Sequence, residues 1–139
     1  PGLVKNTYVF FSIEHLDLLE RGGRIGKASS LLGTIMKIHP ILSFDRDGEL
    51  YNIAKVRGKA KLPSKLTSLV EKMKEENPGM KYIAMIADGN AKEELKDVRS
   101  HMKEAFPDPV YFMESEIGAT LSCYIGDGVL GAGIQFLED

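Results

Sequence analysis

The chain has 139 residues, 43% of them hydrophobic, and a formal net charge of −2. That length suits one domain able to bury roughly two-thirds of its surface, and the slightly acidic balance argues against a general nucleic-acid binder. No apolar run approaches the ~20 residues needed to span a bilayer, no secretory leader is visible, and the single Cys123 excludes an internal disulfide and favours a reducing, cytoplasmic setting.

Pro1 stands where an initiator methionine is expected, so the sequence reads as a piece of something longer. Tyr8 to Ile13, rich in aromatic and β-branched residues, predicts a strand. Ser12 is placed to cap a short helix carrying Leu16 and Leu19 on one face, which Gly22 and Gly23 end. Lys27 to Met36 predicts a second helix, with Ala28, Leu31, Leu32, Ile35 and Met36 at helical spacing. Pro40 breaks regularity, and Ile41 to Phe44 predicts a short strand. Asp45-Arg46-Asp47-Gly48 is a hairpin turn signal, with a returning strand from about Glu49 to Val56.

Pro63 and Ser64 open a helix whose Leu66, Leu69, Val70 and Met73 recur at i, i+3, i+4 and i+7; Asn77-Pro78-Gly79 stops it. Tyr82 to Ala87 is a continuous apolar run, which predicts a strand buried on both faces. After a turn at Asp88-Gly89-Asn90, Asn90 and Glu93 form a capping-box-like start to a helix striped by Leu95, Val98, Met102 and Ala105. Val110 to Met113, Gly118 to Tyr124 and Val129 to Phe136 predict three closing strands. The alternation, with one hairpin and a strand-rich tail, predicts an α/β fold: a two-layer domain with a mixed β-sheet covered by helices.

Gly22-Gly23-Arg24-Ile25-Gly26-Lys27 holds a fixed cation on a tight turn. It is not a P-loop, because three residues rather than four separate Gly22 from Gly26, and Ala28 stands where the Mg²⁺-binding hydroxyl belongs. Gly126-Asp127-Gly128-Val129-Leu130-Gly131 matches G-x-G-x-x-G, but a strand follows it instead of a helix, so the dinucleotide reading fails on context. These glycines read instead as points of close approach to a ligand or a neighbouring element. Lys55-Val56-Arg57-Gly58-Lys59-Ala60-Lys61 is the densest basic segment, and Arg57 beside Gly58 repeats the pattern of Arg24. Two arginines on turns are equipped to bracket one carboxylate or phosphate; a solvated surface is the plain alternative. His15, His39 and His101 have no metal-site spacing, and Cys123 reads as a buried, inert thiol. Leu31, Leu32, Ile35 and Met36 fit an apolar ligand wall and ordinary core equally well.

In order along the chain, Leu16 to Gly26, Leu31-Leu32-Gly33, Ile38-His39-Pro40-Ile41-Leu42, Asp47-Gly48-Glu49, Lys55-Val56-Arg57-Gly58, Gly118-Ala119 and Gly126 to Gly131 resemble the C-terminal domain of the DegV family of bacterial fatty-acid-binding proteins. The resemblance covers essentially the whole of residues 1–139, read as one domain. It implies a two-domain parent whose N-terminal domain is absent here, a long-chain fatty acid in a tunnel between the domains, and hydroxyl groups of the missing half on the carboxylate. It further implies a fatty-acid kinase partner that phosphorylates the bound acid, transient membrane contact, and no cofactor, metal or nucleic acid. The domain itself is then a carrier and not an enzyme. Arg24 and Arg57 match the family's two loop arginines, at the head-group end or the kinase-docking face. Gly126 and Gly128 match the glycines of its closing H-x-G-P-G-like loop, where this chain has Tyr124 for the histidine and Asp127 for the proline. A tyrosine hydroxyl still donates to a carboxylate but titrates near ~10 and carries no positive charge.

The expected ligand contacts are therefore Arg24, Arg57, Tyr124, Gly126 and Gly128, with Leu32 and Ile35 as apolar wall. Two other classes fit the same residues: a domain of an enzyme handling a small phosphorylated metabolite, and an interaction domain that has lost ligand binding.

Overall fold

Side-chain alternation across six strands decides the architecture. The computed structural model describes residues 5–31, 38–118 and 126–139. In chain order these form β1 (Thr7–Ser12), α1 (Leu16–Arg21), β2 (Ile38–Phe44), β3 (Leu50–Arg57), α2 (Leu62–Glu76), β4 (Lys81–Gly89), α3 (Lys92–Ala105), β5 (Tyr111–Glu116) and β6 (Val129–Leu137). Tight 3₁₀ turns lie at Gly26–Leu31 and Lys59–Lys61. The strands make one mixed sheet in the order β3-β2-β1-β6-β4-β5. Only the β4–β5 pair runs parallel among the pairings described.

One face of the sheet is the main core. Phe10, Tyr82, Ala84, Ile86, Ala132 and Ile134 pack there beneath Leu66 and Val70 of α2 and Leu95, Val98 and Met102 of α3. The heptad-like stripes read from the sequence are the buried faces of those two helices. A smaller core on the opposite face joins Ile13, Leu42, Leu50 and Val129 to Leu19, Ala28 and Leu31, which α1 and the 3₁₀ turn lay over one end of the sheet.

Five local expectations change. Ser12 does not cap α1; it is buried inside β1, and His15 at the N-cap makes no side-chain capping bond. The helix expected from Lys27 is a 3₁₀ turn over its described part, Gly26–Leu31, and the rest of it lies outside the described residues, as does most of the strand expected over Gly118 to Tyr124. Asn90 takes a positive φ of 54° instead of capping α3, and the buried Asp88 carboxylate accepts from Ala91 N at 2.9 Å. β4 is not buried on both faces: Tyr82, Ala84 and Ile86 are buried while Ile83, Met85 and Ala87 between them are partly open. Pro40 falls within β2, paired with Lys55. The described β1–β2 register reaches only Ile41, so Pro40 has no β1 partner, a position in a sheet where proline is tolerated.

Candidate functional site

The period of two that buries one side of β1, β4 and β6 aims the other side at a groove of about 700 Å³. Val9, Gly133, Met85 and Met113 stand side by side across β1, β6, β4 and β5, and Phe11, Gly131, Ala87 and Ser115 form the neighbouring row. Glycine at 131 and 133 and alanine at 87 keep the middle of the sheet low. Phe11 and Phe44, ring centroids 5.7 Å apart, raise one wall, and the exposed Met113 stands on the other. Leu19, Ile117 and Val129 close the end beneath α1.

Arg24 reaches this groove because of how α1 ends. Gly23 takes φ +71°, Gly23 N donates to Glu20 O at 3.0 Å, and Arg24 N donates to Leu19 O at 2.9 Å: a Schellman stop that requires the glycine. Arg24 Nη1 in turn donates to Gly22 O at 2.5 Å, holding the guanidinium against the turn. Gly26 (φ +55°) then presses on the β3 backbone, where a Cβ would lie 3.0 Å from Leu50 O. Lys27 ties the turn to the β2–β3 hairpin through Asp45 Oδ2 at 2.5 Å, with Glu49 Oε2 at 3.9 Å. The shared hydrogen bond raises the Lys27 pKa and lowers that of Asp45. Among the described lining residues only Arg24 and Glu49 carry charge, so the surface is an apolar bed with one cation and one carboxylate at its β2–β3 side.

The two arginines expected to bracket an anion are not brought together. Gly26 rests on Leu50 at the start of β3, whereas the exposed Arg57 ends that strand, seven residues and about 23 Å farther on. Arg57 does not line the groove. Gly126 (φ +71°) and Gly128 (φ +90°) contact a neighbouring element: a Cβ would lie 2.7 Å from His15 Cδ2 at the first and 2.5 Å from Glu14 Oε2 at the second. Gly128 also borders a small cavity of about 140 Å³ with Glu14, Lys59 and His39. Lys59 is ion-paired with Glu14, which raises its pKa. Tyr124, Leu32 and Ile35 lie outside the described residues.

The residues missed from the sequence are the outward set Val9, Phe11, Met85, Ala87 and Gly133, while Gly131 was read as a point of close approach. Their signal was the pair of glycines two places apart in β6, hidden because both faces of these strands are apolar. No group of three or more His, Cys, Asp or Glu able to hold a metal occurs among the described residues, and no helix among them is long and apolar enough to cross a membrane.

With this geometry in hand, the family model described as "Uncharacterised protein, DegV family" matches residues 2–137. A DegV domain-containing protein of Clostridium perfringens is 32% identical over 130 residues, covering 93% of this chain and 44% of that one. A DegV family protein from Thermus thermophilus, described by its fatty-acid binding, superposes with a TM-score of 0.85 at 25% identity, over 96% of this chain and 46% of that one. A DegV lipid-binding protein from Thermotoga maritima gives 0.75 at 27% identity, over 96% and 44%. The chain thus spans about half the length of the relatives it matches.

Proposed function

Since the chain belongs to the DegV family, we propose that it is the C-terminal, lipid-facing half of a two-domain carrier for long-chain fatty acids, working in the cytoplasm. The apolar groove across the open face of the sheet carries this reading. Each methylene moved from water onto such a surface contributes about 0.8 kcal/mol, so an acyl chain needs little polar help beyond its carboxylate. The fatty-acid and lipid binding described for the Thermus and Thermotoga relatives supports the same ligand class.

In this reading a second half of similar size roofs the groove and supplies hydroxyl groups to the carboxylate. Arg24, at the groove, balances charge near the head group. Arg57, exposed at the far end of β3, serves the docking of a fatty-acid kinase, which phosphorylates the presented acid. The domain carries and presents; it performs no chemistry. The separation of the two arginines weakens the phosphorylated-metabolite alternative, which needs them around one phosphate.

The test uses the whole protein, both halves present. Native mass spectrometry of gently purified material should find one long-chain fatty acid per chain, and oleate should raise the melting temperature of delipidated protein where glycerol phosphates do not. Empty protein that is stabilised by glycerol phosphates and not by oleate would reverse the assignment. Acyl-phosphate formation by the kinase should need this protein and fall with Arg57→Ala while acid binding stays unchanged.

A further inference from the structure

The groove's two β6 glycines are not equivalent. A Cβ on Gly131 would meet only ordinary contacts, 3.5 Å to Phe10 O and Phe11 Cβ and 3.9 Å to Ala87 O, so a methyl-sized group fits above Gly131 without displacing anything. A Cβ on Gly133 would lie 2.7 Å from Tyr8 O, 3.1 Å from Val9 Cγ1 and 3.2 Å from Met85 Cε. The bed above Gly133 is thus already roofed, on one side by a β-branched valine and on the other by the tip of a methionine. Valine is stiff about its single side-chain torsion, whereas methionine has three rotatable bonds and repacks readily. Met85 is only partly buried and its neighbour across the β4–β5 ladder is the exposed Met113, so room exists on that side for it to move.

The geometry points to Met85 as the residue that sets how long an acyl chain the groove accepts. With Met85 over Gly133 the bed is shallower beyond Gly131. With Met85 swung toward Met113 its deeper part extends by two residues of β6, about 7 Å. A thioether that yields in this way gives a graded preference in place of a sharp cut-off. The inference rests on the fatty-acid reading above and adds the determinant of chain length to it.

The experiment compares the whole, delipidated protein with Met85→Ala, Met85→Leu and Met85→Phe variants against a graded series of saturated fatty acids, with a urea midpoint as the folding check. Met85→Ala should shift the preferred acid to longer chains, gaining about tenfold in relative affinity for each two methylenes newly buried. Met85→Phe should shift it to shorter ones. Met85→Leu conserves volume and is the variant surest to fold; its stiffer, branched side chain should narrow the range of lengths accepted. Should the alanine or phenylalanine variant not fold, the leucine variant decides. Folded variants that keep the parent's length profile overturn the role of Met85 and leave the carrier reading standing. A parent protein that binds none of the acids removes the carrier reading itself, and this inference with it.

Discussion

Gly128 and Tyr82 show how single residues hold the frame around the groove. At Gly128 the backbone sits at φ +90°, and a Cβ there would meet Glu14 Oε2 at 2.5 Å and Cδ at 2.6 Å, the same carboxylate that holds Lys59. Gly128→Ala must strain the backbone and push Glu14 off its partner; the expected loss is about 1–3 kcal/mol in urea unfolding. A loss below about 0.5 kcal/mol, the range of an ordinary surface change, counts against the tight packing of this loop. The close approach was legible in the sequence, but its target was not, because glycine spacing does not distinguish a ligand from a neighbouring loop. Tyr82 is buried, donates to Asp108 Oδ1 at 2.7 Å and stacks edge-on against Phe106. Burial, then the Asp108 bond, pushes its pKa up to about 12, while that bond lowers the Asp108 pKa. The phenol's contribution to stability is complete below the unfolded tyrosine value near ~10 and drains as pH rises toward the folded one. The Asp108 contribution is complete above the unfolded carboxylate value and is lost as pH falls through the lowered one. Ultraviolet titration should show a late-ionising tyrosine, and Tyr82→Phe should remove that late step; the absence of any such step would contradict the burial.

At the scale of elements, periodicity served the helices better than the strands. The stripes of α2 and α3 were readable because their exposed faces are charged, so the apolar period stands out. β4 misled because Ile83, Met85 and Ala87, which alternate with the core-facing residues and are only partly buried, are as apolar as those residues. β5 is the least buried strand and is held to α3 by charge. Arg99 grips Glu114 with a two-pronged hydrogen bond, Lys92 Nζ sits 2.6 Å from Glu116 Oε1, and Lys103 Nζ lies 5.3 Å from the centre of the Phe112 ring. The bond to Arg99 lowers the Glu114 pKa, so this anchorage is present above the unfolded glutamate value and disappears as pH falls through the folded one. Hydrogen exchange should therefore show β5 amides losing protection on acidification before β6 amides do, and Glu114→Gln should produce the same loss at neutral pH. Simultaneous loss in both strands would mean that β5 is held by the sheet alone. A loosened β5 also widens the groove wall that carries Met113, so the same change should weaken acyl binding.

Among the described residues, the sheet has one face covered by helices and the other covered only in part. α2 and α3 cover the first; α1 and the 3₁₀ turn cover one end of the second. What remains is a greasy channel beside Phe44 at 49% exposure and Met113 at 40%, the kind of patch that marks a surface meant to be covered. Sequence patterning could supply the layers and the helices but not this asymmetry. Which apolar residues face the core and which face the groove depends on where the helices are laid over the sheet, and strand periodicity does not carry that. The consequence is quantitative. In an open channel an acyl chain keeps about half its surface in water. If roughly a dozen methylenes each forfeit about 0.4 kcal/mol, half the usual ~0.8, the isolated domain binds more weakly than the roofed protein by about 5 kcal/mol, several thousandfold in Kd. Displacement of a fluorescent fatty acid, measured for the 139-residue chain and for the whole protein in the same buffer, reads that ratio directly. Equal affinities would mean that the sheet face alone encloses the ligand and that no second half is needed. A ratio of the expected size, with affinity lost in both proteins when Phe44→Asp and Met113→Asp make the bed polar, would place the shared binding energy on this face.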